Sequence, residues 1–211
     1  MMKEQDAQHV QHLIDLRDLR VSLPHTAFSM SNKDHRFMQM AICEATNSQI
    51  LMRHGCIAVI NGKIIARGFN TERCHSRDGL LNHSWCCHAE IDVLRKLIRS
   101  LSGTPTTRIS GLQYARHLTD LSKITLYIAR APPHLTCETV MDNGDVMPFK
   151  SSAPCMQCVS IIRTLRIKHI AFVSSNNEFI KCKPRDYSIS HITKGHRLVV
   201  RRGIFHDALG E

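Results

Sequence analysis

Hydrophobic positions along the chain recur in short blocks whose period alternates between that of a helix and that of a strand. His9 to Leu19 carries Val10, Leu13, Ile14 and Leu16 at mixed spacing, a helix candidate that Pro24 and the polar run Ser29 to Lys33 bring to an end. Asp34 is expected to cap the next helix, with Phe37, Met38, Ala41, Ile42, Ala45 and Ile50 on its apolar face. Cys56 to Ile60 and Lys63 to Phe69 are β-rich runs joined by Asn61-Gly62, two residues that tolerate positive φ, so they predict a tight hairpin. A polar loop rich in histidine and cysteine follows over 71–87. From Ala89, the positions Ile91, Val93, Leu94, Leu97 and Ile98 trace an amphipathic helix.

Residues 102–120 and 131–153 are expected to be irregular; between them, Ile124 to Ile128 predicts a strand buried on both faces. A helix beginning near Pro154 or Cys155 carries Val159, Ile161, Ile162 and Leu165. Lys168 to Val173 then predicts a strand, and Arg197 to Val200 a candidate last one. The order helix, strand, strand, helix, strand, helix, strand points to a three-layer α/β domain. Its hairpin is antiparallel, and its later strands, separated by helices, are expected to be parallel. Residues 1–33 form an N-terminal extension and 34–211 the domain itself. No internal repeat or low-complexity tract interrupts it.

Composition narrows the class. The 211 residues are 43% hydrophobic and 22% charged, ordinary for a packed globular chain. No apolar run approaches the roughly 18 residues that cross a bilayer, and the first residues lack a signal-peptide core. The expectation is a soluble, intracellular and cytoplasmic protein without a membrane partner. Nine cysteines, an odd number in a long chain, favour reduced thiols with some metal binding over a disulfide scaffold. A formal charge of +10 favours an anionic partner, either a phosphate-bearing small molecule or nucleic acid.

Two stretches concentrate the chemistry: Cys87-His88-Ala89-Glu90 and Pro154-Cys155-Met156-Gln157-Cys158, each opening a predicted helix. Together they match H-x-E…P-C-x-x-C, a known signature of zinc nucleobase deaminases. Cys155 and Cys158, three apart, share a helix face and lie in a first turn whose free N–H groups stabilise thiolates. Pro154 suits a helix start. With the His88 nitrogen, two thiolates make three ligands and leave a fourth tetrahedral position open, the layout of a catalytic zinc site. Glu90, two residues past His88, is placed to move protons without binding the metal. Alone, Cys-x-x-C would equally suit a redox pair or half a structural zinc knuckle, and His-x-Glu would mean little; their joint appearance favours the deaminase.

The chain at this point resembles the cytidine deaminase superfamily, in its CMP/dCMP-type branch, over about Asp34 to Ser174. The resemblance rests on CIAVINGKIIARGFN, CCHAEIDVLRKL and SAPCMQCVSIIRTLRIKHIAFVS. It implies a central sheet of about five strands between helices, a Zn2+ cofactor and hydrolysis of an exocyclic amine. It assigns His88, Cys155 and Cys158 as metal ligands and Glu90 as acid and base. Gly68-Phe69-Asn70 is similar to the family's Gly-x-Asn, which makes Asn70 an expected sugar contact, and Ala89 falls where the family's main chain lies beside the base. The enlarged gap between His88 and Cys155, the N-terminal extension and the basic tail depart from compact members and bear on the substrate more than on the reaction.

Other features are weighed beside this. Cys74, His75, His83, Cys86 and Cys87, with Cys43, are candidates for a second structural zinc, though the spacing fits no standard signature and plain loop residues are the preferred reading. Cys56, Cys137 and Cys182 read as plain thiols. Lys181, Lys183, Arg185, Lys194, Arg197, Arg201 and Arg202 form a basic C-terminal stretch, a solvated tail or oligomer contact before it is a nucleic-acid surface, because few aromatics accompany it. The expected substrate is a free cytosine nucleotide such as dCMP. An RNA or single-stranded DNA editing deaminase comes second, with the basic tail as its contact, and a non-catalytic zinc-binding protein third. A homo-oligomer is expected by analogy.

Overall fold

The computed structural model describes residues 30–81, 85–102, 119–142 and 150–188. The candidate helix over His9 to Leu19, the candidate strand Arg197 to Val200, His83 and the basic residues from Lys194 onward lie outside them. The first helix, α1 (Asn32–Thr46), is capped by Ser31 and not by Asp34. The Ser31 Oγ accepts the Asp34 N–H at 3.1 Å and donates its own proton to Asp34 Oδ2 at 2.6 Å, a reciprocal cap with the carboxylate on the third helical residue. That arrangement frees Asp34 Oδ1 to accept from the Tyr127 hydroxyl and from Lys181 Nζ, each at 2.7 Å.

The expected hairpin is present as β1 (His54–Ile60) and β2 (Lys63–Phe69), antiparallel, with a register shift between Ala58 and Val59. Both turn residues are left-handed, Asn61 at φ 49 and Gly62 at φ 79, as a two-residue hairpin loop requires. The other strands are β3 (Thr125–Arg130), β4 (His169–Val173) and β5 (Phe179–Cys182). β3 runs antiparallel to β1 and parallel to β4, which joins them in the order β2-β1-β3-β4-β5. The fifth strand is a correction: β5 returns antiparallel to β4 through a tight turn in which Ser174 N–H donates to Glu178 O at 2.9 Å. Only four residues long and at the sheet edge, it carries no alternation strong enough to mark it.

The remaining helices are α2 (Ala89–Ser102), α3 (Cys137–Asp142) and α4 (Met156–Thr164). The sheet separates two cores. Cys56, Ala58, Leu126, Ile128, Ile170 and Phe172 point toward α2 and α4, where they meet Val93, Leu94, Leu97, Val159 and Ile162. Ile57, Val59, Tyr127, Ala129, Ala171 and Val173 point the other way, onto α1 and onto Val140 of α3. The three-layer α/β/α architecture with a five-stranded mixed sheet therefore holds. Gly55 lets α1 sit against β1, since a Cβ there would collide with the Ala41 carbonyl and the Ala45 backbone.

α3 lies inside the 131–153 segment expected to be irregular, and it changes the cysteine accounting. Cys137 is bonded to Cys43 of α1 in a disulfide with a Cα–Cα distance of 4.6 Å, so neither is a plain reduced thiol. Two hydrogen-bonded pins also shape the loops. Thr71 and Cys87 exchange backbone bonds at 3.0 and 2.9 Å. Ser152 wedges between β3 and β4 past their last paired residues: its hydroxyl donates to Ile128 O at 2.7 Å and accepts from Val173 N at 3.1 Å, while its N–H donates to Val173 O at 2.9 Å. No helix among the described residues is long and apolar enough to cross a membrane.

Candidate metal centre and active site

The pins deliver the ligands. His88 directly follows the Thr71–Cys87 bridge, and Cys155 follows Ser152 by three residues. Cys155 is the N-cap of α4, extended at φ −77 and ψ 166, and Cys158 is the helix's third residue, so the two thiols converge from the edge of the first turn instead of both lying inside it. His88 Nδ1 lies 3.2 Å from Cys158 Sγ and 3.4 Å from Cys155 Sγ, and the three ligand atoms fall within 4.8 Å of one another. Zinc bonds of about 2.0–2.1 Å to nitrogen and 2.3 Å to sulfur, opened tetrahedrally, separate those atoms by about 3.5 Å. One imidazole and two thiols at these spacings fit zinc.

The electrostatics agree. The Cys158 hydrogen bond, against burial and aided by His88, holds the Cys155 thiol well below its ordinary value. Sharing that hydrogen bond, together with burial, pushes Cys158 up. Burial works against charge on His88, but its hydrogen bonds to Cys155 and Cys86 and the negative charges of Cys155 and Glu90 raise it. Metal binding requires both thiols deprotonated and the imidazole neutral, and a divalent cation supplies the positive charge that favours those forms. Because Nδ1 faces the thiols, Cys86 at the same ring adds a contact that orients it.

Glu90, in the first turn of α2, is 4% exposed and its carboxyl interacts electrostatically with His88 and Cys155. Burial pushes its carboxyl up, the His88 charge pulls it down and Cys155 pushes it up again, for a net rise. A carboxyl raised this way holds a proton more readily than an exposed one, which suits a group that must take up and pass on protons. Ala89, the first residue of α2 and fully buried, places its main chain between ligand and carboxyl.

Asn70, the expected sugar contact, also has a structural part. It is buried, its Oδ1 accepts the His54 N–H at 2.7 Å and its Nδ2 donates to Met52 O at 2.8 Å. The amide brackets residues 52–54 where β1 begins. Nothing in the sequence singles out His54, because a lone histidine before a strand carries no signal; its importance comes from register. On β1 it shares a sheet face with Cys56 and Ala58, the face that packs on α2 and α4. Its Nδ1–H donates to Met52 O at 2.9 Å, leaving Nε2 without a proton. Burial lowers its pKa to about 4, the Met52 carbonyl opposes this, and the positive charges of Arg130 and His88 lower it further.

The second zinc does not assemble among the described residues, where His88, Cys155 and Cys158 are the one group of three capable of holding a metal. Cys74 and His75 are exposed, Cys87 is buried in the core, Cys86 contacts His88, and Cys43 is committed to Cys137. Lys181, read as part of a solvated basic tail, is instead a β5 residue paired with Asp34. Lys183 and Arg185 are exposed.

A three-ligand zinc site at two helix starts on a five-stranded α/β/α sheet, with a buried carboxyl beside it, defines a zinc-dependent hydrolytic deaminase. The chain belongs to the cytidine and deoxycytidylate deaminase zinc-binding family, whose model matches residues 31–174. Among solved structures, that of cytidine deaminase from Burkholderia pseudomallei overlaps 72% of this chain and 93% of its own, at 14% identity and a TM-score of 0.44. A search of curated proteins finds no match.

Proposed function

We propose that the protein deaminates cytosine in a free nucleotide, converting dCMP or CMP and water to dUMP or UMP and ammonia. The observation that carries this is the Glu90 carboxyl, buried beside three side chains whose spacing fits zinc. A zinc ion held by His88, Cys155 and Cys158 would polarise a water and lower its pKa to about 7. Glu90 would take one proton from the attacking water and pass it to N3 of the ring, then take the second from the oxygen now on C4 and pass it to the amine, so that ammonia leaves and C4 exchanges nitrogen for oxygen. The Ala89 main chain lies beside the base. Asn70 holds the start of β1 so that His54 Nε2, a bare acceptor, meets a sugar hydroxyl. The family's description names cytidine and deoxycytidylate, which supports cytosine, and the formal charge of +10 supports a phosphorylated substrate.

A second reading, a deaminase of RNA or single-stranded DNA, is favoured by one observation. Trp85, three residues before His88, is 54% exposed, and Met52 and Met156, beside the site, are also exposed. An exposed indole next to a reaction site suits stacking of a neighbouring base. The test is turnover on dCMP beside turnover on a cytosine-containing oligonucleotide, each across a salt series. Oligonucleotide deamination without dCMP turnover overturns the first reading, and the reverse removes the second. Glu90 in place argues against a non-catalytic member.

A further inference from the structure

On the outer side of α2 lies a cavity of about 350 Å³ lined by Thr71, Arg73, Asp92, Arg95, Lys96 and Arg99. Its size falls at the lower end of the roughly 300–1,000 Å³ of small-molecule sites. Asp92, Arg95, Lys96 and Arg99 form one stripe along the helix at i, i+3, i+4 and i+7, and Arg73 faces them from the loop after β2. Glu90 and Asp92 are about 200° apart around the helix, and none of the metal-ligating residues lines the cavity, so it is separate from the reaction site.

Four cationic side chains line it with one carboxylate, and Asp78, paired with Arg95, is a second carboxylate behind the wall, so cations outnumber carboxylates by four to two. The lining carboxylate is committed, since Asp92 Oδ2 pairs with Lys96 Nζ at 2.7 Å and accepts the Phe69 N–H at 3.3 Å. The deepest cation is held rigidly. Arg95 is 8% exposed, and its Nε donates at 2.7 Å to Asp78, which Ser76 and the Leu80 N–H fix in turn at 2.5 and 3.1 Å. A guanidinium held at one edge keeps its planar fork pre-set for an oxyanion, and three arginines around one cavity suit bidentate binding of phosphate.

We propose that this cavity is a binding site for a small, multiply charged phosphate compound, distinct from the substrate site and independent of which base the metal centre processes. A polynucleotide fits it less well, because no aromatic side chain lines it to stack a base.

The test is calorimetric titration of the full-length, zinc-loaded protein with inorganic tripolyphosphate at fixed ionic strength, requiring no turnover. The expected result is saturable binding, weakened about tenfold or more in Arg73→Ala and further in Arg73→Ala/Arg99→Ala, with zinc content unchanged. Lys168→Ala, an exposed cation elsewhere, should bind as the wild type does. The single variant, altered only at an exposed loop residue, decides the matter if the double variant folds poorly. Heat that never saturates, or equal weakening by Lys168→Ala, overturns the site. Binding of a cytosine-containing oligonucleotide with none of tripolyphosphate overturns the small-ligand assignment.

Discussion

Asn70 holds His54 by its backbone: its Oδ1 accepts the His54 N–H at 2.7 Å while its Nδ2 donates to Met52 O at 2.8 Å. A side chain so engaged is structural even if it also touches substrate. Asn70→Ala removes both bonds from a buried site and is expected to lower stability by about 1–3 kcal/mol. Urea unfolding of the zinc-loaded protein checks it. An unchanged midpoint with a raised KM would mean that the residue acts on substrate alone.

Elemental analysis should find one zinc per chain in the wild type, lost in Cys155→Ala and in Cys158→Ala. Both thiols lie within reach of His88 Nδ1, at 3.4 and 3.2 Å, so neither remaining pair can close the site. Full zinc occupancy in either variant would show that the metal sits elsewhere.

Glu90→Gln preserves volume and a hydrogen-bonding edge beside Cys158 but cannot take a proton from water. Zinc content should stay the same while deamination falls by about 10²–10⁴-fold or more, because one group serves several transfers. Near-normal turnover in a zinc-replete variant refutes the assignment.

Acid should expose the role of Asp34. Burial pushes its carboxyl up, but hydrogen bonds from Lys181, Ser31 and Tyr127 outweigh that and hold it below its ordinary 3.8. A depressed carboxylate contributes stability above its unfolded pKa, about 3.9, and loses it as pH falls through the folded value. The stability gap between wild type and Asp34→Asn should therefore be constant above about pH 5 and close below about pH 4. A gap of equal size at pH 3 contradicts this.

Of nine cysteines, two are joined, so thiol counting in denaturant should find seven, rising to nine after reduction. Nine before reduction would show that Cys43 and Cys137 are not bonded.

The parts of this structure legible in the sequence are those whose cause is local. Asn61-Gly62 needs only its own φ angles to announce the hairpin, and His88, Glu90, Cys155 and Cys158 announce the site because metal chemistry restricts spacing as well as residue type. What stayed hidden depends on neighbours distant in sequence. β5 exists because β4 offers it a pairing edge, while its own four residues, Phe179 to Cys182, are mostly half-buried and include the ion-paired Lys181. α3 packs Val140 under the sheet and bonds Cys137 to a helix 94 residues earlier, a relation that no window of sequence contains. The Ser31 cap is local, a Ser-x-x-Asp pattern with Asp34 as third helical residue, and only the hold of Tyr127 and Lys181 on its other oxygen depends on distant chain. His54 becomes notable only when the β1 register turns it toward the metal face.

The two pins at Thr71–Cys87 and at Ser152 have a consequence for how this architecture can diversify. Each closes a connection at its base immediately before a ligand segment, so the pins and the sheet set where His88 and Cys155 stand. Chain added at the outer ends of these connections, away from Cys86 and α3, would leave His88 and Cys155 where the sheet puts them. The reaction and its clientele can then evolve on separate stretches of polypeptide, with new recognition surfaces spliced in at the rim while the chemistry beneath is inherited unchanged.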